Sequence, residues 1–101
     1  MTTLTLVQER DDTNLDFSLR SFVESVLDIE SQSMEDGLRR TRERMHAFEA
    51  QYGLSTAEFL HRYRQNQIDE TLETIEWMGE SRMERHLLNK LHNLRGIRVV
   101  D

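Results

Sequence analysis

The groups able to do chemistry in this 101-residue chain are carboxylates, arginines and four histidines, with no cysteine among them. His46, His61, His86 and His92 lack the i, i+4 partner of a helical zinc pair, so no metal centre of that kind is expected. Glu58 and His61 stand one helical turn apart, which suits weak divalent-ion binding and equally suits a solvated helix face. Glu76, Glu80 and Glu84 form an i, i+4 acidic row with Glu70 and Glu73 nearby. Repulsion at that spacing disfavours a free helix. The row is therefore either a solvated face or a surface turned toward a basic partner. Arg39, Arg40, Arg42 and Arg44 make a basic cluster, and Lys90 is the only lysine. Arginine grips carboxylates and phosphates with two prongs, so this bias favours protein contacts over simple solubility.

Neither a glycine-rich phosphate loop nor a nucleophile with an evident base is present. With no proline and four glycines, the chain has few rigid loops on which to present catalytic groups. No catalytic residue, metal or cofactor is expected, and the chemistry reads as binding. The net charge of −6 opposes nucleic-acid binding through bulk electrostatics. Contact between the arginine cluster and DNA is a less favoured reading, because Glu43 interrupts the cluster and an acidic first third lies beside it. No apolar run approaches the ~20 residues that span a bilayer, and no signal peptide is evident, so a cytoplasmic protein without membrane contact is expected.

These groups must be positioned by helices. Charged residues make up 32% and hydrophobic ones 37%, a low apolar content for a single domain that must offset its own chain entropy. Help from a partner or from self-association is expected. Leu19, Phe22, Val23, Val26 and Leu27 fall at helical spacing over about 17–29, and Ser31, Gln32 and Ser33 then interrupt the pattern, which predicts a break or bend. Met34, Leu38, Thr41, Met45, Phe48 and Tyr52 step by four, three, four, three and four, a heptad seam suited to a helical hairpin, a bundle or a coiled coil. Gly53 can take the left-handed conformation that ends a helix, and Ser55 with Glu58 has capping-box spacing. A short helix over about 55–64 follows. The last helix is predicted over about 68–94, closing at Gly96. On its wheel Ile68, Leu72, Ile75 and Met83 share one face while Trp77 lies opposite Ile68, near Leu88. Either a kink at Gly79 aligns the two stripes, or Trp77 faces outward as a partner anchor.

The expected fold is all-α: a helical hairpin or small helical bundle with a short helix in the turn. Residues 1–16 are expected to be a flexible or extended N-terminal segment, 17–96 a single helical domain and 97–101 a C-terminal tail. Thr2–Val7 and Ile97–Val100 could be short extended segments, paired or disordered.

The succession FEAQYG, LSTAEFLHRY, EWMGES and LLNKLHNLRGI resembles small acidic helical antitoxin-like proteins of type II toxin–antitoxin systems, over about residues 42–97. The positions that carry the pattern are Phe48, Tyr52, Gly53, Ser55, Glu58, Phe59, Tyr63, Glu76 and Trp77, most of them structural. The spacer departs from it, since the family usually has a glycine and acidic residues where this chain has Gln65, Asn66 and Gln67. The resemblance implies a non-enzymatic protein that binds and neutralises a cognate toxin, often a nuclease. On that reading Glu73, Glu76, Trp77, Glu80, Glu84 and Leu88 contact the partner, the carboxylates standing in for RNA phosphates, while Arg39, Arg40, Arg42 and Arg44 meet DNA or an acidic partner. The rival readings are a homo-oligomeric coiled-coil or adaptor protein joined through the Met34–Tyr52 seam, and a DNA-binding regulator of antitoxin type. The partner state is a homo-oligomer or a hetero-complex.

Overall fold

The computed structural model describes the backbone of residues 13–97 and the side chains of residues 17–97. Three helices make up this region: α1 (Thr13–Tyr52), α2 (Thr56–Arg64) and α3 (Leu72–Arg95). The architecture is the expected all-α hairpin with a short helix in its turn. Of the expected flexible or extended segment 1–16, residues 13–16 are instead the first turn of α1, because the helical run extends one turn ahead of Phe17; residues 1–12 and 98–101 lie outside the described residues, and of the tail only Ile97 is described.

Two further features of the helices differ from the sequence reading. α1 runs unbroken through Ser31, Gln32 and Ser33. None of these residues excludes helical dihedrals, and the Gln32 amide donates to Asp36 Oδ1 one turn on, 3.2 Å away. The apolar interruption does not end the helix, and Leu27, Ser31 and Met34 lie on the same partly buried face that continues into Leu38, Thr41 and Met45. α3 starts four residues later than expected. Thr71 and Thr74 form a reciprocal capping box in which Thr71 Oγ1 accepts from the Thr74 N–H at 3.2 Å and Thr74 Oγ1 accepts from the Thr71 N–H at 2.8 Å. Two orphan donors are satisfied there, which leaves Ile68 in the connection.

The turns follow local chemistry. Gly53 has φ +65° and its N–H donates to Glu49 O at 2.8 Å, the single bond of a left-handed helix cap. Ser55 caps α2 by accepting from the Glu58 N–H at 3.1 Å, while the Glu58 carboxylate pairs with Arg62 at 3.0 Å rather than reaching back. At the other end of α2, Asn66 has φ 56°, Asn66 N–H donates to Tyr63 O and Gln67 N–H to Arg62 O. This is a Schellman motif with asparagine in the left-handed seat, so Asn66 does the work of a spacer glycine. Tyr63 then ties the connection together by donating its hydroxyl to Glu70 at 2.7 Å.

α3 returns antiparallel along α1, as the cross-pairs Glu35 with Arg95, Arg42 with Glu84, and Arg44 with Glu80 require. Leu38, Thr41 and Met45 of the heptad seam are buried, with Met34 and Phe48 partly so. That part of the seam packs against the chain's own α3. At ~1.5 Å per residue α1 is about 60 Å long and α3 about 36 Å, and the molecule measures 67 × 21 × 19 Å. α3 ends beside Leu27 and Ser31, where Leu94 and Ile97 share a groove with them. The first part of α1 projects beyond the hairpin.

Candidate interaction surface

The best-ordered constellation of polar and aromatic groups surrounds Trp77. Its side chain is 0% exposed. The ring lies against Phe59 (centroids 4.0 Å, 3° between planes), Phe48 (5.7 Å, 15°) and Tyr52 (5.5 Å, 29°), so aromatics from all three helices meet on it. Its indole N–H donates to Thr56 Oγ1 at 3.0 Å, and the Thr56 N–H and hydroxyl donate to Glu49 Oε2 at 2.7 and 2.9 Å. The Thr56 N–H, aided by the Thr56 hydroxyl and by His46 at 3.0 Å, holds the Glu49 carboxyl below its ordinary value against an opposing desolvation. This corrects the reading of Trp77 as an outward partner anchor. Because α3 begins at Leu72, no stripe headed by Ile68 competes for the hairpin face, and Trp77 turns inward.

The acidic row is largely committed within the chain. Arg44 Nε lies 2.8 Å from Glu80 and Arg42 Nε 3.0 Å from Glu84, while Glu73 accepts from the Gln51 amide and, at 3.2 Å, from the Tyr52 hydroxyl. The hydrogen bond to Glu80 raises the Arg44 ionisation, and desolvation, aided by Glu73, raises that of Tyr52. Arg39 sits between Asp36 (3.3 Å) and Glu43 (3.8 Å). Two of the carboxylates assigned to a basic partner, Glu80 and Glu84, thus meet two of the arginines assigned to an acidic one, Arg44 and Arg42, across the hairpin. Sequence spacing within one helix could not reveal a pairing between helices 36 and 42 residues apart. Glu76 and Arg40 are exposed and have no ion pair among the described residues.

What the hairpin leaves open is an apolar outer strip on α3. Leu72 is 72% exposed, and Ile75 and Met83 are about half exposed on either side of Glu76. Beside it runs a groove of about 470 Å³ lined by Ala47, Phe48, Gln51, Glu76, Gly79 and Met83. A Cβ built on Gly79 would meet nothing within 4 Å, so no packing inside the chain accounts for glycine there. Mid-helix glycine costs about 1 kcal/mol relative to alanine. Leu88 lies apart, in a second groove of about 510 Å³ on the other side of the hairpin with Arg42, His46, Glu49 and Arg85. Of the residues singled out for partner contact, the structure gathers Glu76 and Glu80 at one groove and places Leu88 and Glu84 at the other. Leu72, Ile75 and Met83 were legible as apolar, but they were read as one face of a longer helix.

No protein-family model, curated protein or solved structure matches this chain. Among the described residues, no helix is long and apolar enough to cross a membrane.

Proposed function

We propose that this chain is a non-enzymatic binding protein that holds a cytoplasmic partner on the outer strip of α3, and that the partner is a toxin neutralised by direct contact. The toxin part of this reading rests on the resemblance of residues 42–97 to antitoxin-like proteins. The observation that carries the surface is the exposure of Leu72, Ile75 and Met83 around Glu76, which has no ion pair among the described residues, next to an open groove at Gly79. Contiguous exposed apolar side chains rimmed by charge are characteristic of protein-binding surfaces. Mimicry of RNA phosphates by the whole acidic row has less to support it, because Glu73, Glu80 and Glu84 already have partners in the chain. A partner surface that is apolar, with one cation placed for Glu76, fits this strip better.

The test is co-expression of the chain with the product of the gene beside its own, followed by co-purification and a growth assay. Wild type is expected to co-purify and to restore growth. Ile75→Glu and Met83→Glu, both exposed, are expected to leave the helical content unchanged while abolishing both effects. Retention of both effects by the two variants would refute the α3 surface, and a harmless neighbour that does not co-purify would refute the antitoxin reading.

A further inference from the structure

The groove beside Glu76 lies between the two long helices: Ala47 and Gln51 of α1 form one wall, Gly79 and Met83 of α3 the other, and Phe48 lies partly buried between them. Each wall has one small residue. A Cβ on Gly79 would meet nothing, so a visiting backbone can come close there. The rims carry opposite charges at opposite ends. The pair of Arg44 with Glu80 spans the groove at its middle. Because α1 and α3 are antiparallel, Arg40 lies one turn from this pair toward the open end of the hairpin, and Glu76 one turn from it toward the α2 end. At ~1.5 Å per residue the two are about 12 Å apart along the axis. Both are exposed, with no ion pair among the described residues. Arg40 Nη2 lies 4.0 Å from the place that a Cβ on Gly37 would take, and that Cβ would meet Leu87 of α3 at 3.5 Å, which puts the guanidinium beside the interhelical groove. Lys90, exposed and seven residues beyond Met83, adds to the positive end. Asp36 and Glu43, carboxylates on that flank of α1, are engaged by Arg39.

We propose that this groove seats one amphipathic helix of a partner protein, which completes a three-helix bundle with α1 and α3. The proposal rests on the α3 surface put forward above and names what occupies it. Apolar residues of the incoming helix, spaced three and four apart, lie on Phe48, Gly79 and Met83. A basic residue meets Glu76, and an acidic residue about two turns along meets Arg40. The backbone decides for a helix over an extended segment. A helix satisfies its own N–H and C=O groups, whereas a strand laid in the groove needs an edge to pair with, and the described residues form helices and their connections with no strand among them. A strand also turns alternate side chains to opposite faces, so it would present few apolar groups over this length. The space between two packed helices, by contrast, takes the ridge of a third.

The probe is a fluorescein-labelled synthetic peptide of about 18 residues, or five helical turns, stapled on its outer face so that it is helical alone. It carries leucines toward the groove, a lysine for Glu76 and, about two turns along, a glutamate for Arg40. Anisotropy titration with the full chain should show saturable binding below millimolar concentration. Gly79→Leu fills the groove and should abolish binding, with the far-ultraviolet spectrum and the Trp77 emission unchanged. Glu76→Lys should weaken binding about tenfold, and exchanging the peptide's lysine for glutamate should restore it on that variant. No binding up to millimolar chain, equal binding of a proline-broken peptide of the same composition, or indifference to both substitutions would overturn the helix. Self-association of the chain alone that Gly79→Leu abolishes would overturn it too, since the occupant would then be a second copy. These titrations do not use the neighbouring gene product. Its failure to co-purify refutes the antitoxin reading and leaves them standing, whereas their failure beside an intact co-purification removes the helix and leaves the α3 surface.

Discussion

The Phe59 ring lies 4.0 Å from that of Trp77 and within 3° of parallel to it, a contact that joins the turn helix α2 to α3 and closes the hairpin. Phe59 is 1% exposed and Trp77 fully buried; each is held by the other, Trp77 also by Phe48 and Tyr52 from α1, and Phe59 by Tyr63. Trp77→Ala or Phe59→Ala should cost about 3–5 kcal/mol, as loss of a buried aromatic does. Domains of this kind have only about 5–15 kcal/mol in total, so either variant should be largely unfolded or close to it. Trp77→Phe keeps most of the stack and loses the bond to Thr56, with an expected cost of about 1–3 kcal/mol for the group left unpaired. Urea unfolding followed by circular dichroism measures each.

Acid should destabilise the hairpin through Glu49. Its folded ionisation lies below the ordinary carboxylate value, chiefly because the Thr56 N–H donates to it. The unfolded chain then binds the proton more readily, so the stabilisation is fully present above the ordinary value and is lost as pH falls through that value and on to the lower folded one. The urea midpoint, read from Trp77 emission, should fall across this range in the wild type. Glu49→Gln should start lower at neutral pH and lose part of that decline. An unchanged acid profile in this variant would show that other carboxylates control it.

The two left-handed caps should respond oppositely to substitution. Gly53→Ala puts a Cβ at φ +65° and should lose about 1 kcal/mol. Asn66→Gly should be neutral or gain a few tenths of a kcal/mol, because glycine prefers the conformation that Asn66 already holds. Ser55→Ala removes the α2 cap and should cost about 1 kcal/mol. Thermal melts of the three variants side by side would establish the order.

Gly79→Ala should stabilise the isolated chain by about 1 kcal/mol, since the added methyl meets nothing. If a partner seats in the groove beside it, the same substitution should weaken co-purification. A variant that is more stable yet binds less well separates the surface from the fold.

The cross-hairpin ion pairs should orient the helices and contribute little to stability. Arg42 and Glu84 are 48% and 28% exposed, and a double-mutant cycle on this pair should give at most about 1 kcal/mol, vanishing at high salt.

Much of the fold was legible because its determinants are local. The seam from Met34 to Tyr52, Gly53 at the turn and Ser55 at the start of α2 act through bonds spanning a few residues, and each appears where its spacing placed it. Two local signals were missed for equally local reasons: Asn66 takes a left-handed seat more often assigned to glycine, and Thr71 with Thr74 caps a helix without the usual glutamate. What sequence alone could not decide was which faces of the two long helices meet. Moving the start of α3 from Ile68 to Leu72 leaves Trp77 as the inward anchor and sends Leu72, Ile75 and Met83 outward. The same packing brings Arg42 and Arg44 to Glu84 and Glu80, turning two apparent docking patches into one internal set of ion pairs. Helical periodicity fixes angles within one helix. The rotation of one helix against another is set by packing across the hairpin, where burial of a single tryptophan outweighs the weaker preferences of exposed charges.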